Sequence, residues 1–314
     1  MKENTKKFNA VAFVNKYALL MIFILMCVLF TILSDSFLTI SNITDVVRTN
    51  SISGLLAVGL TYVILAGGID LSVESVVALS GMVSGYLSGN PVVAVLAGLA
   101  IGVFFGLFNG FLLVKTGVQP FIFTLAMNRI VRGIILIFTK GSNLYDISDS
   151  FKLISRSNVG PFPTPIIIFV VIVVVTYLLL NRTKYGRYVY AVGSNEDASR
   201  LSGIKTRTIK VSTYLICSVL ASLAGIMLTA RVAAAETNAA DGWSLDAVSA
   251  VIIGGTSLRG GQGGILFTLL GVFILAVLNN GMVLVNVPSN YFQFIKGLLM
   301  LVAVLLDMGN QKKR

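Results

Sequence analysis

The amino-acid sequence predicts an all-α polytopic membrane protein of about ten transmembrane helices, both termini cytoplasmic, with no sizeable soluble domain. Three observations carry that prediction. Hydrophobic residues make up 56% of the 314-residue chain and charged residues only 12%, whereas a soluble domain carries roughly 25% charged residues. So few charges cannot cover a water-facing surface, so most of the chain faces lipid or other apolar helices. Apolar runs of spanning length recur from one end to the other. The basic residues, finally, are shared unevenly among the loops between those runs.

A helix crosses the hydrocarbon core with roughly 20 apolar residues. On that criterion the spans fall at about 17–33, 51–66, 70–88, 91–114, 119–139, 165–181, 212–230, 244–258, 264–285 and 291–307. The first follows basic residues, as a signal peptide would, but Ser34-Asp35-Ser36 is a poor cleavage site, and the run reads as an uncleaved helix. Residues 34–50 are polar enough for a loop or an interfacial helix. The second and eighth spans are short. Residues 140–164 make an outer loop and 182–211 the longest inner one, which leaves a single transmembrane domain over residues 1–314.

Orientation follows from the loop charges. With the N-terminus inside, the inner segments hold Lys2, Lys6, Lys7, Lys16, Lys115, Arg182, Lys184, Arg187, Arg200, Lys205, Arg207, Lys210, Arg259, Lys312, Lys313 and Arg314. The outer loops hold only Arg48, Lys140, Lys152, Arg156 and Arg231, and Arg129, Arg132 and Lys296 fall within spans. The net charge of +11 is therefore a topology signal and implies lipid contact, with no nucleic-acid partner. The chain has no His, which excludes His-based proton relays, metal sites and Ser-His-Asp catalysis. Its two cysteines, Cys27 and Cys217, lie in apolar runs and read as packing residues.

The inner loop 182–211 carries one local signal. Ser194 or Asn195 suits an N-cap, Glu196 and Asp197 fit a first helical turn, Arg200 its end, and Gly203 the C′ position. Ala198, Leu201 and Ile204 would give this two-turn helix a small apolar face. So short a helix is marginal alone in water and would gain stability by docking on a partner. A solvated basic loop against anionic lipid explains the bases, but not the capped helix with acids among them.

Four stretches, GLTYVILAGGIDLSVESVVALSG, QPFIFTLAMNRIVRG, YGRYVYAVGSNEDASRLSGIK and DAVSAVIIGGTSLRGGQGG, resemble the membrane subunit of ribose-type sugar ABC importers, from roughly residue 40 to Asp307. The resemblance implies a multi-pass permease of the cytoplasmic membrane that pairs with a second permease copy. It also implies a cytoplasmic ATPase subunit, which holds the ATP and Mg, and an extracytoplasmic binding protein that delivers the sugar. The family's ATPase-contacting loop corresponds to Gly193, Ser194, Asn195, Glu196, Asp197, Ala198, Ser199, Arg200, Leu201, Ser202 and Gly203. Glu74 and Arg129 depart from the family pattern. The chain itself shows no Gly-Lys-Ser/Thr phosphate loop, and no cofactor, metal or catalytic residue is expected in it.

Two glycine hairpins, Gly67-Gly68-Ile69-Asp70-Leu71 and Gly254-Gly255-Thr256-Ser257-Leu258, share a GGxxL pattern after short apolar runs. Such segments mark a substrate path or gate in transporters, or simply tight turns. Ionisable residues at membrane depth are costly and hence candidates for function. Asp70 and Glu74, four apart, would share one helix face, and Arg129 and Arg132 another, the acids neutralising the bases. Lys296 would snorkel, and Asp307 would sit at the inner interface. For sugar hydroxyls and faces the candidates are Asn109, Thr124, Asn128, Asn279 and Asn280, with Phe104, Phe105 and Phe108. The leading solute is ribose. Alternatives are another sugar, a nucleoside or an autoinducer-like solute, or an ion-coupled secondary transporter using Asp70 and Glu74.

Overall fold

The computed structural model describes residues 10–311, and the chain there is almost entirely helical. In order come α1 (Ala10–Leu33), α2 (Ile40–Leu65), α3 (Val73–Tyr86), α4 (Pro91–Thr116), α5 (Pro120–Thr139) and α6 (Asp149–Arg156). A two-stranded hairpin, β1 (Asn158–Val159) and β2 (Phe162–Pro163), precedes α7 (Thr164–Arg182), α8 (Lys184–Ser194) and α9 (Glu196–Leu201). The last four are α10 (Thr206–Val232), α11 (Trp243–Ile253), α12 (Ile265–Leu284) and α13 (Asn290–Gln311). Helices α2, α4, α5, α7, α10 and α12 are long and apolar enough to cross a membrane. The terminal bases Lys2, Lys6, Lys7, Lys312, Lys313 and Arg314 lie outside the described residues, as do the side chains of Lys16 and Asp307.

Helix boundaries follow local chemistry. Asn90 caps α4 by accepting a hydrogen bond from the Val93 amide, Pro91 opens the first turn, and left-handed Gly117 closes the last. Pro120 opens α5 in the same way. The stretch expected as a loop or interfacial helix is instead continuous with the second span. Thr39 caps α2, and the Thr44, Thr49 and Asn50 side chains bond back to carbonyls four residues earlier, so the polar residues sit on a helix without breaking it. Residues 140–164 fold into α6 and the hairpin. Residues 182–211 hold α8 as well as the expected short helix.

At the centre α2 packs on α10, and each carries the other half's helices: α3 and α4 lie on α10, while α11 and α12 lie on α2. Four glycines at four-residue spacing on α4 make the first of these contacts close. A Cβ on Gly98, Gly102, Gly106 or Gly110 would strike Ile226, Ser222, the Leu215 backbone or the Val211 backbone of α10. Helix α5 flanks α3, and α13 flanks α11. The arrangement is an inverted repeat, α2–α5 against α10–α13, because α3 and α11 start side by side and run in opposite directions. The sequence carries it too. Ser72-Val73-Glu74 matches Ser244-Leu245-Asp246, Asn109-Gly110 matches Asn280-Gly281, and Arg129, Arg132 and Gly133 match Gln293, Lys296 and Gly297. The two GGxxL hairpins are not equivalent in this repeat.

Helices α3 and α11 are half-length. The 14 residues of α3 and the 11 of α11 rise about 21 and 16 Å, so both half-helices stop short of the roughly 30 Å hydrocarbon thickness. Their N-terminal ends meet. At the opposite pole Asn42 of α2 and Asn280 of α12 exchange two hydrogen bonds, 2.9 and 2.7 Å. Asn280→Ala is expected to destabilise the membrane-embedded fold by about 1 kcal/mol. A double-mutant cycle with Asn42→Ala checks it, because additive losses would show that the pair is not coupled.

Candidate functional site

The capped helix forms as the spacing predicts. The Asn195 side chain accepts from the Ala198 amide at 2.9 Å, and Gly203 is left-handed at φ +83°. The Ile204 amide then closes the turn on the Ser199 carbonyl at 3.0 Å. Glu196 pairs with Lys210 and so ties α9 to α10, whereas Asp197 and Arg200 pair in the open at 2.7 Å, a contact of little energetic weight. Ala198 is exposed and Leu201 is 88% exposed. The expected three-residue apolar face therefore splits. Ile204 turns inward onto the core, and only Ala198 and Leu201 point to solvent.

Beside α9 lies a cavity of about 710 Å³, walled by Ala66, Gly67, Gly68, Leu113, Pro120, Lys205 and Tyr214. The Gly67-Gly68 hairpin at its roof abuts the loop that follows Gly254-Gly255, because the Gly261 amide donates to the Leu65 carbonyl at 2.9 Å. Gly254 lets the end of α11 touch the Phe267 backbone of α12, and Gly255 turns at φ +81°. The Tyr190 hydroxyl of α8 donates to the Gly263 carbonyl at 2.9 Å. Burial pushes this hydroxyl above its ordinary pKa, which keeps the donor proton in place.

Three of the predicted path residues, Asp70, Asn109 and Thr124, converge on the segment leading into α3. Asp70 is fully buried, and its Oδ1 accepts from the Ser72 amide and hydroxyl at 2.9 and 2.6 Å. Asn109 donates to the Ser72 hydroxyl at 2.9 Å, and Thr124 accepts from the Leu71 amide at 3.1 Å. Asp70 precedes the helix, so it shares no helical face with Glu74. The bend at Gly67-Gly68 delays α3 to Val73, and Asp70 caps its approach instead. Among the described residues Asp70 Oδ2 and Asn109 Oδ1 have no partner.

Glu74 stands where the two half-helices meet. It accepts from Asn128 of α5 at 2.8 Å and from the Ser244 hydroxyl and amide of α11 at 2.7 and 3.2 Å. A carboxylate at the start of one helix thus also closes the N-terminus of another, where the helix dipole favours negative charge. Arg132 donates to the Thr237 and Ala239 carbonyls at 2.6 and 3.3 Å in the segment entering α11. Lys296 does not snorkel, because it pairs with Asp246 at 2.8 Å. Arg129, halfway along α5, points outward and exposed.

The remaining candidates lie apart from this centre. Asn280 is spent on Asn42, and Asn279 Oδ1, elsewhere on α12, has no partner among the described residues. Phe104 and Phe108 stack at 5.8 Å on the exposed flank of α4, while Phe105 is buried edge-on against Phe104. Sequence reasoning missed Ser72, Ser244 and Asp246, which the repeated Ser-x-acid triplet marks. It also missed the Leu65 and Gly261 contact, for which no sequence signal exists.

The family model that matches, over residues 42–304, is described as "Branched-chain amino acid transport system / permease component". The chain is 42% identical to the ribose import permease protein RbsC of Escherichia coli K12, with 89% of each chain covered. It is 43% identical to the RbsC of Bacillus subtilis 168, over 90% of this chain and 89% of that one. The D-allose transport system permease protein AlsC of E. coli K12 is 36% identical over 96% of this chain and 94% of its own. No solved structure matches the chain.

Proposed function

The chain belongs to the branched-chain amino acid transport system / permease component family, and from that premise we propose that it is the membrane subunit of an ATP-driven importer that carries a monosaccharide, ribose first, across the cytoplasmic membrane. The observation that carries the solute is the 42–43% identity to ribose import permeases over nine-tenths of the chain. The chain crosses the bilayer about ten times as one permease domain, the half-length α3 and α11 included, with both termini inside. A cytoplasmic ATPase holds the ATP and Mg, and an extracytoplasmic binding protein delivers the sugar.

The docking element is Gly193 to Gly203, in which Ala198 and Leu201 meet the ATPase while Gly193 packs inward on the rest of the chain. Its exposed Ala198 and Leu201 support that role, since the capped turn presents the two to solvent side by side. A second copy of the chain covers α5. Arg129 at mid-helix is too costly to leave against lipid, so its face meets protein or the water-filled path between copies. The path or gate takes in Gly67, Gly68, Asp70, Asn109, Thr124, Asn128, Gly254 and Gly255, with Asn279 and Asn280 at its margin. An ion-coupled scheme loses one of its two acids, because both Glu74 oxygens already accept fixed donors.

The test is uptake by proteoliposomes holding the permease, its ATPase and the binding protein. Ribose should accumulate only with ATP inside, and the permease alone should hydrolyse none. Uptake driven by an ion gradient without ATP would overturn the mechanism. Stronger accumulation of D-allose than of ribose would overturn the solute. In intact cells Asn195→Cys, with Cys27 and Cys217 replaced, should resist a membrane-impermeant thiol reagent, and labelling from outside would reverse the topology.

A further inference from the structure

Gly193 sits where three backbone segments touch. It is the last residue but one of α8, just before the Asn195 cap of α9. A Cβ there would collide with the Leu65 carbonyl, the last residue of α2, and stand 2.7 Å from the Gly261 amide. Gly260 is equally close packed: a Cβ on it would lie 2.9 Å from the Gly193 carbonyl and 3.0 Å from both the Gly67 amide and the Leu65 carbonyl. One on Gly261 would collide with Ser194, whose own amide and Cα are 2.8 Å away. Apart from the Ser194 hydroxyl, every one of these obstacles is main chain.

We infer that Gly193, Gly260 and Gly261 form a backbone-to-backbone joint that passes movement of α9 to both half-helices at once. Leu65 and Gly67 lead into α3, and Gly260 and Gly261 follow the turn that ends α11. The Gly261 amide bond to Leu65 and the Tyr190 bond to Gly263 lock the two hairpins to each other and to α8. Side chains between these segments would absorb displacement by changing rotamer, whereas touching main chains cannot. A push on α9 therefore shifts α3 and α11 together, the first through the segment that leads to its start and the second at its C-terminal end. The inference rests on α9 being the ATPase-docking helix.

Gly193→Ala is the informative change. Gly193 has an ordinary helical backbone, and Ala is the better helix former, so α8 itself is not harmed, and the docking surface at Ala198 and Leu201 is untouched. In the reconstituted complex Gly193→Ala should keep its ATPase through purification. Stimulation of ATP hydrolysis by sugar-loaded binding protein should fall at least tenfold, and uptake with it. Tyr190→Phe, which removes one hydrogen bond and adds no bulk, should lower the same coupling about 2- to 10-fold. Gly89→Ala, with nothing within 4 Å of its Cβ, is the control. Normal stimulation in Gly193→Ala overturns the joint. Loss of the ATPase from Gly193→Ala also overturns it, since the glycine then only shapes the docking surface. If Ala198→Trp leaves the ATPase bound and active, it is the docking assignment that fails, and the joint, which rests on it, falls with it. Loss of a bound, active ATPase in Ala198→Trp together with normal stimulation in Gly193→Ala overturns the joint alone.

Discussion

Replacing Ala198 by Trp is expected to abolish sugar uptake while the chain inserts and accumulates normally. Ala198 is exposed on a two-turn helix whose fold is fixed by other residues: the Asn195 cap, the Glu196–Lys210 pair and the left-handed Gly203. A Trp there disturbs nothing inside the chain. It overfills whatever surface closes on α9, and overpacking typically costs about 1–3 kcal/mol, or roughly a 5- to 150-fold weaker hold on the ATPase. Gly203→Val damages the same element from within, because a β-branched residue is a poor occupant of φ +83°. Uptake and ATPase pull-down at matched expression check both. Normal transport with a retained ATPase in Ala198→Trp would leave α9 a mere basic surface segment.

The largest loss of stability is expected at Glu74. Glu74→Ala strands the Ser244 amide and hydroxyl and the Asn128 amide in a buried site, and it takes away the negative charge that acts most strongly on Arg132. Removing one side of a buried charged network costs about 3–5 kcal/mol. Glu74→Gln keeps an acceptor for one set of donors and should lose about half as much. Cys217, a fully buried free thiol on α10, reports the result. In detergent its modification should begin at a clearly lower temperature in Glu74→Ala than in the parent, with Glu74→Gln between. An unchanged onset would mean that Glu74 does not hold α3, α5 and α11 together.

How much of this was legible in the residues depended on whether the signal was local. The spans at 91–114, 119–139, 165–181 and 264–285 fall within a few residues of α4, α5, α7 and α12, since length and hydropathy fix them. The cap of α9 was legible because Asn195, Glu196 and Gly203 act on their own backbone. Asp70 was misplaced on a helix because a run of apolar residues does not say where a glycine bend releases the chain. The Lys296–Asp246 pair joins residues fifty positions apart, and only the inverted repeat, Glu74 with Asp246 and Arg132 with Lys296, hints at it. The joint at Gly193 leaves no trace in sequence, since glycine alone does not name the carbonyl it makes room for.

The exchange of hairpins between halves also sets an order of events during synthesis. The α3–α4 hairpin has its seat on α10, not on its own neighbour α2, and α10 ends about 120 residues after α4. At roughly 5–20 residues per second the ribosome needs on the order of 6–25 s to supply it. For that interval the glycine-faced side of α4 is held in the bilayer with no helix against it, and a chain interrupted before Val232 never acquires the surface that would cover it. The first half is thus not a folding unit by itself: its core is completed from the second.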